Sequence, residues 1–192
     1  DVKWNLEEQK ADGAPVQLRS GLKGAPDEVV EVPFPYFANT ASNGFASTDH
    51  PDTLMRRIPA KRMTLKDGET LAASVYDLML ANYGVDQGFG GEHLASSYDD
   101  LEPYTPAWAE AVTTVRRDQI IAVARGFATN AEKTNGKSMV IIGAAMNHWY
   151  HMDMTYRGVS NLLAMCECIG QSCGGWSNYV CQEKLLPQTS WA

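Results

Sequence analysis

At 192 residues and 21.1 kDa, with 44% hydrophobic and 20% charged residues, the chain has the composition of a folded domain, which excludes a disordered tail or linker. A net charge of -7 and a pI near 5.0, with acidic and basic residues interleaved, argue against nucleic acid or an anionic membrane as partner. No apolar run approaches the roughly 20 residues that span a bilayer and no basic-then-apolar opening reads as a signal peptide, so any membrane link is expected through another chain.

The chain reads as two stretches. Residues 1–70 are an irregular segment with short strands or a hairpin, rich in Gly, Pro, Ser and Asn; residues 71–192 are an incomplete α/β segment. Asp1 in place of Met, and Leu186 to Ala192 without a closing helix, point to a piece cut at both ends. In the first stretch the prolines of Val29-Val30-Glu31-Val32-Pro33-Phe34 confine it to an edge or short strand. Asp67-Gly68, between Met63-Thr64-Leu65 and Thr70-Leu71-Ala72, predicts a small hairpin.

Val75, Leu78, Met79 and Tyr83 recur at helical spacing before Gly84, which predicts a short helix over 74–83. Thr105-Pro106 reads as a helix start, a hydroxyl cap followed by proline at the first helical position, and would turn Trp108 and Val112 inward. From Arg117 to Lys133 an apolar stripe of Ile120, Ile121, Ala124, Phe127 and Ala128 predicts a longer helix ended by Asn135-Gly136. Ser138 to Gly143 is a continuous apolar run of the kind buried in a parallel sheet, and a further helix is predicted from Met154 to about Cys168. Helix, buried strand, glycine, loop, helix is a doubly wound α/β order, in which ligands sit beyond the carboxyl ends of the strands. That places Gly143 to Asp153 at the functional edge.

Chemistry concentrates there and just beyond. Asn147-His148-Trp149-Tyr150-His151-Met152-Asp153 gathers two of the four histidines with an amide and a carboxylate, a set able to orient an anion or donate protons. On a helix His148 and His151 would share a face as a metal pair; two half-buried histidines satisfied by backbone are the plainer alternative. The four cysteines, Cys166, Cys168, Cys173 and Cys181, invite a zinc or iron–sulfur reading. Their one, four and seven intervening residues match no such motif. The glycines Gly170, Gly174 and Gly175 would let backbone approach a large ligand, with Asn178, Gln182 and Lys184 supplying amides and a cation; a plain turn remains open. Gly143-Ala144-Ala145 is not the glycine fingerprint of a nicotinamide-binding loop.

Met146 to Met154, Tyr156-Arg157-Gly158, Cys168-Ile169-Gly170-Gln171-Ser172, Gln182-Glu183-Lys184-Leu185 and Pro187-Gln188-Thr189 closely resemble the alpha subunits of membrane-bound respiratory nitrate reductases, within the dimethyl sulfoxide reductase-like molybdenum enzymes. Phe34-Pro35-Tyr36-Phe37, Val75-Tyr76-Asp77-Leu78, Ala81-Asn82-Tyr83-Gly84, Ser97-Tyr98-Asp99-Asp100 and Tyr104-Thr105-Pro106-Ala107-Trp108 extend the resemblance over nearly the whole chain.

The resemblance implies part of a multi-domain molybdopterin oxidoreductase. Its molybdenum would be held by two molybdopterin guanine dinucleotides, with a 4Fe-4S cluster whose ligands lie outside this stretch. Nitrate would be reduced to nitrite in anaerobic respiration. It further implies an iron–sulfur beta subunit and a membrane haem gamma subunit as partners, holding the enzyme at the cytoplasmic face of the inner membrane. His148 and Asn147 are the implied nitrate-pocket residues; Gly170, Gln171, Gly174, Gly175, Asn178, Val180 and Gln182 are the implied cofactor contacts, with no metal ligand among them. Glu167, Cys173 and Cys181 stand where the family has glycine, and Leu186 and Ser190 where it has arginine and glycine. The molybdenum-ligating aspartate is not in this stretch, so alone it is expected to be inactive and to bind no molybdenum. A selenate or chlorine-oxyanion reductase, a nitrite oxidoreductase, and a small Cys/His metal-binding module are the competing readings.

Overall fold

The proline-flanked stretch at Val29 becomes an edge strand. In the computed structural model, which describes residues 20–36 and 53–178, β1 (Glu28–Pro35) pairs antiparallel with β2 (Thr53–Leu65), Glu28 opposite Ala60 and Pro35 opposite Thr53. Beyond Ala60 the far half of β2 turns back on β3 (Gly68–Ala72) in the predicted hairpin, Leu65 opposite Gly68, so the sheet order is β1-β2-β3. The length of β2, 13 residues, exceeds anything the composition suggests. Arg56, Arg57, Pro59, Lys61 and Arg62 break its apolar alternation, yet Leu54, Arg56 and Ile58 all point inward. Leu54 and Ile58 form a core with Phe34 and Ala81, each large aliphatic side chain contributing about 1.5–3 kcal/mol by burial.

Arg56 is 4% exposed and needs partners, because a buried unpaired charge is untenable. It finds them in backbone. Its guanidinium donates to the Ala81 and Asn82 carbonyls at the end of α1 (Val75–Asn82) and, at 3.0 and 2.7 Å, to those of Glu92 and His93. Burial lowers its pKa, while Glu102 beside it acts the other way. The other end of α1 carries the opposite charge. Asp77, in the first turn and fully buried, accepts from the hydroxyls of Ser20 (2.8 Å) and Ser74 (2.6 Å), from Gln87 Nε2 (2.8 Å) and from Gly21 N (3.1 Å). Ser74 Oγ in return caps Asp77 N at 3.0 Å. A carboxylate at the amino end and a guanidinium at the carboxyl end both complement the helix dipole. The stripe that faces inward is therefore Asp77, Leu80 and Ala81; Val75, assigned to the apolar face by spacing, is 80% exposed.

Thr105 caps α2 (Pro106–Thr113) as its sequence predicts, its Oγ1 accepting from Trp108 N at 3.1 Å while donating to the Asp100 and Glu102 carbonyls. Pro106 and Ala107 are the buried residues of this helix; Val112, expected inside, is exposed.

Helix α3 (Arg117–Thr134) carries the division between two compact units, which falls between Ile121 and Ala122. The boundary expected near residue 70 lies inside the first unit, at the β2–β3 hairpin. In the second unit β4 (Met139–Ile142) leads through α4 (Ala144–Asn147) and α5 (Met152–Met165) to β5 (Gly175–Asn178), which pairs with β4 in parallel. This is one β–α–β crossover. Ala131, Leu163 and Cys168 form its core, with Phe127, Val140, Val159 and Trp176 packed against it, so α3 and α5 cover one face of the strand pair. The run Ser138–Gly143 was expected to be buried on both sides. Among the described residues only one face is: Ile142 is buried, but Met139 and Ile141 on the other face are 42% and 78% exposed.

Replacing Asp77 by Ala would leave two hydroxyls, an amide and a backbone N–H without their acceptor. The expected cost is about 3 kcal/mol, to be read in the full-length protein as amide exchange in α1 accelerated by about a hundredfold.

Candidate functional site at the carboxyl edge of the parallel strand pair

Two parallel strands share a carboxyl edge, and here it is populated. Ile142 pairs with Asn178 at the end of both strands. Past Ile142 the chain runs through Gly143 into the single turn of α4, whose last residue is Asn147 and whose C-cap is His148. Asn178 closes β5 at the same edge. Three of the residues singled out in the sequence, Asn147, His148 and Asn178, are thus delivered to one edge by the crossover. His148 and Asn178 are exposed and Asn147 is half-buried. Trp149 and Tyr150 follow, 69% and 93% exposed.

Asn147 Oδ1 is buried and accepts no hydrogen bond among the described residues. A desolvated, unsatisfied amide oxygen costs on the order of 1–3 kcal/mol, a cost relieved by a donor brought from outside. That unmade bond makes the edge a fit for a ligand carrying N–H groups.

The glycine loop does not reach this edge. Gly170, Gln171 and Gly174 precede β5, and Gly175 is its first residue, opposite Met139, so the loop sits at the amino end of the pair. Three steps of about 3.3 Å, roughly 10 Å, separate the two ends of this four-residue strand. Gly174 has a different close neighbour from the one anticipated. A Cβ there would lie 2.2 Å from the Gly136 carbonyl oxygen and 2.9 Å from that of Cys168, and a Cβ on Gly136 would lie 2.3 Å from the Glu167 carbonyl. The backbone that approaches is the protein's own. Gly175 N donates to Ser138 O at 3.0 Å, and Ser138 Oγ is tied to α3 through the Phe127 carbonyl and Asn130 Nδ2. The loop thus locks the turn after α3 to the turn after α5. Val180 and Gln182, together with Cys181, Lys184, Leu186 and Ser190, lie outside the described residues.

The histidine pair is not a helical pair. His148 caps the end of α4 and His151 precedes α5, with a turn between them, and the His151 ring meets Tyr150 edge-on at 4.5 Å. The helical metal-pair geometry is therefore lost to chain reversal. Among the described residues no group of three or more His, Cys, Asp and Glu is placed to hold a metal. Cys168 is fully buried in the core, its thiol donating to the Cys166 carbonyl at 3.3 Å. Burial, with Cys168 alongside, pushes the Cys166 thiol pKa up. Cys173 is exposed.

Two of the glycine replacements acquire a physical meaning. Glu167 has φ 53° and Cys173 φ 69°, the left-handed region that L side chains enter at a cost of about 1 kcal/mol. Glycine at these two positions is what the backbone asks for.

Comparison with known proteins places this geometry in context. The sequence model of the family described as molybdopterin oxidoreductase matches residues 7–189. The chain is 52% identical over 191 residues to the respiratory nitrate reductase 1 alpha chain of Escherichia coli K12, covering 98% of this chain and 15% of that protein. It is 44% identical over 190 residues to the nitrate reductase alpha chain of Bacillus subtilis 168, with coverage of 98% and 15%. A shorter match, 34% over 80 residues, covers 42% of this chain and 8% of the perchlorate reductase alpha subunit of Dechloromonas aromatica. The chain thus spans about 15% of the length of the nitrate reductase alpha chains it matches.

Gly174→Ala should destabilise the second unit by about 2–3 kcal/mol, since a backbone carbonyl must move. Cys173→Gly should stabilise it by about 1 kcal/mol. Denaturant midpoints of the full-length protein, with amide exchange to localise the change, check both. A Gly174→Ala variant that keeps its stability but loses a bound ligand would return this glycine to a binding role.

Proposed function

The chain belongs to the molybdopterin oxidoreductase family, and from that premise we propose that it is a segment of the catalytic subunit of a nitrate reductase that converts nitrate to nitrite. The substrate rests on the similarity to nitrate reductase alpha chains over 98% of the chain. The reading of the site is supported by the carboxyl edge of β4 and β5, where β5 ends at Asn178 opposite Ile142 and the turn after β4 holds Asn147 and His148.

A molybdenum bis(molybdopterin guanine dinucleotide) centre, when bound, supplies two-electron oxygen-atom transfer. The ligands of molybdenum and of a 4Fe-4S cluster would come from elsewhere in the full-length chain. In this stretch, His148 binds the nitrate anion through an imidazole N–H and holds a proton near the departing oxygen. Asn147 stands beside it as the second nitrate-pocket residue that the resemblance implies, and Asn178, Val180 and Gln182 are the implied cofactor contacts. Gly170, Gln171, Gly174 and Gly175 serve the cofactor side from the amino end of the strands, by setting where β5 begins. The proposed partners are an iron–sulfur beta subunit and a haem-bearing gamma subunit, which hold the enzyme at the cytoplasmic face of the membrane. Among the described residues no helix is long and apolar enough to cross one.

A chlorine-oxyanion reductase is the second reading, favoured by the match to the perchlorate reductase subunit. The ratio of kcat/KM for nitrate and perchlorate in the full-length enzyme decides between them.

His148→Gln in the full-length, cofactor-loaded enzyme should lower kcat/KM for nitrate by about a hundredfold or more, with molybdenum content unchanged. An unchanged kcat/KM would remove His148 from the pocket, and a full-length protein without molybdenum would sink the whole assignment.

A further inference from the structure

The buried, unsatisfied oxygen of Asn147 carries more than a site location, because an oxygen accepts and cannot donate. Nitrate offers three oxygens and no hydrogen. Phosphate groups at neutral pH likewise present acceptors. Neither can satisfy an amide oxygen. The base edges of a pterin and of a guanine each carry a ring N–H beside an amino group, two donors side by side, and these are what an amide oxygen takes.

We propose that Asn147 recognises the heterocycle of the pterin guanine dinucleotide by accepting from an N–H on its base edge, and that it does not bind nitrate. This rests on the cofactor assignment above. A second observation points the same way: Trp149 and Tyr150, two and three residues further along the same turn, are exposed aromatics of the kind on which a planar heterocycle stacks. The terminal amide torsion of asparagine is soft, so Oδ1 turns toward an arriving donor at little cost. Two adjacent residues then divide the work by hydrogen-bond polarity. His148 donates and takes the anion, while Asn147 accepts and takes the ring. Asn147 thereby moves from the nitrate pocket, where the family resemblance put it, to the cofactor.

The test uses the full-length protein with Asn147→Leu, which removes the acceptor, and Asn147→Asp, which keeps one in the same shape. The readouts are pterin fluorescence released by acid and molybdenum per chain, followed through a wash in dilute urea, together with KM for nitrate in the fraction that stays loaded. Asn147→Leu should lose cofactor about tenfold faster than the unaltered protein, as one hydrogen bond predicts, with KM unchanged. Asn147→Asp should retain it. The proposal is overturned if Asn147→Leu keeps its cofactor while KM for nitrate rises. It is equally overturned if Asn147→Asp sheds cofactor as fast as Asn147→Leu, since the amide would then be donating. Should Asn147→Leu fail to fold, the Asn147→Asp arm decides alone. An unaltered full-length protein free of pterin and molybdenum would instead overturn the underlying assignment.

Discussion

Two backbones cross at Gly136 and Gly174 more closely than any side chain permits, and the geometry of the second unit follows from that crossing. A Cβ at either position would sit within 2.3 Å of a carbonyl oxygen. With both glycines in place, the turn after α3 and the turn after α5 interlock, Gly175 N reaches Ser138 O, and β4 and β5 start in register, Met139 opposite Gly175. Because the pairing is parallel, a register set at the amino end is transmitted along four residues to the carboxyl end. Asn178 then necessarily stands beside the exit of β4 and the turn that carries Asn147 and His148. The glycine loop thus sets the register from the amino end of the strand pair. Glu167 and Cys173, on the same loop, hold left-handed backbone that glycine would adopt without that strain.

The first unit solves a different problem with buried charge. Arg56 and Asp77 are both buried, yet neither neutralises the other. Each is matched to one end of α1, the guanidinium to the free carbonyls of the last turn and the carboxylate to the positive amino end, with serines, Gln87 and the backbone completing the set. An eight-residue helix is too short to be stable on propensity. Charges complementary to its dipole at both ends, in a low-dielectric setting, hold it against the sheet. Asp77 lies in the segment Val75-Tyr76-Asp77-Leu78 that carries part of the family resemblance, and its burial gives that resemblance a structural reason.

Much of the local structure was legible in the residues. The β2–β3 hairpin, the Ser74 and Thr105 helix starts, the stop at Asn135-Gly136 and the strand at Met139 all formed where caps, turns and apolar runs placed them. These features are set by neighbours in sequence. The failures share a cause. Val75 and Val112 were assigned inward by spacing alone and face solvent, while Arg56, a charge, points in. Spacing marks a stripe but not which stripe meets the core, and no composition rule foresees an arginine whose partners are carbonyls 25 to 37 residues away. For His148 and His151, spacing left a helical metal pair and two separate histidines both open, and the turn between α4 and α5 removes the helical pair.

The sequence by itself determined the family and the chemical inventory: a histidine and an amide in one short run, a glycine-rich loop in another, and glycine positions occupied by larger residues. Tertiary structure alone decided at which end of the strand pair each member of that inventory lies. Parallel pairing carries Asn178 to the turn that holds Asn147 and His148, whereas the glycine loop, adjacent to Asn178 in sequence, is left a strand's length away. The physical reason is that a parallel strand separates its own two ends by its full rise and joins each to the like end of its partner. Proximity along the chain and proximity in space are exchanged at that point.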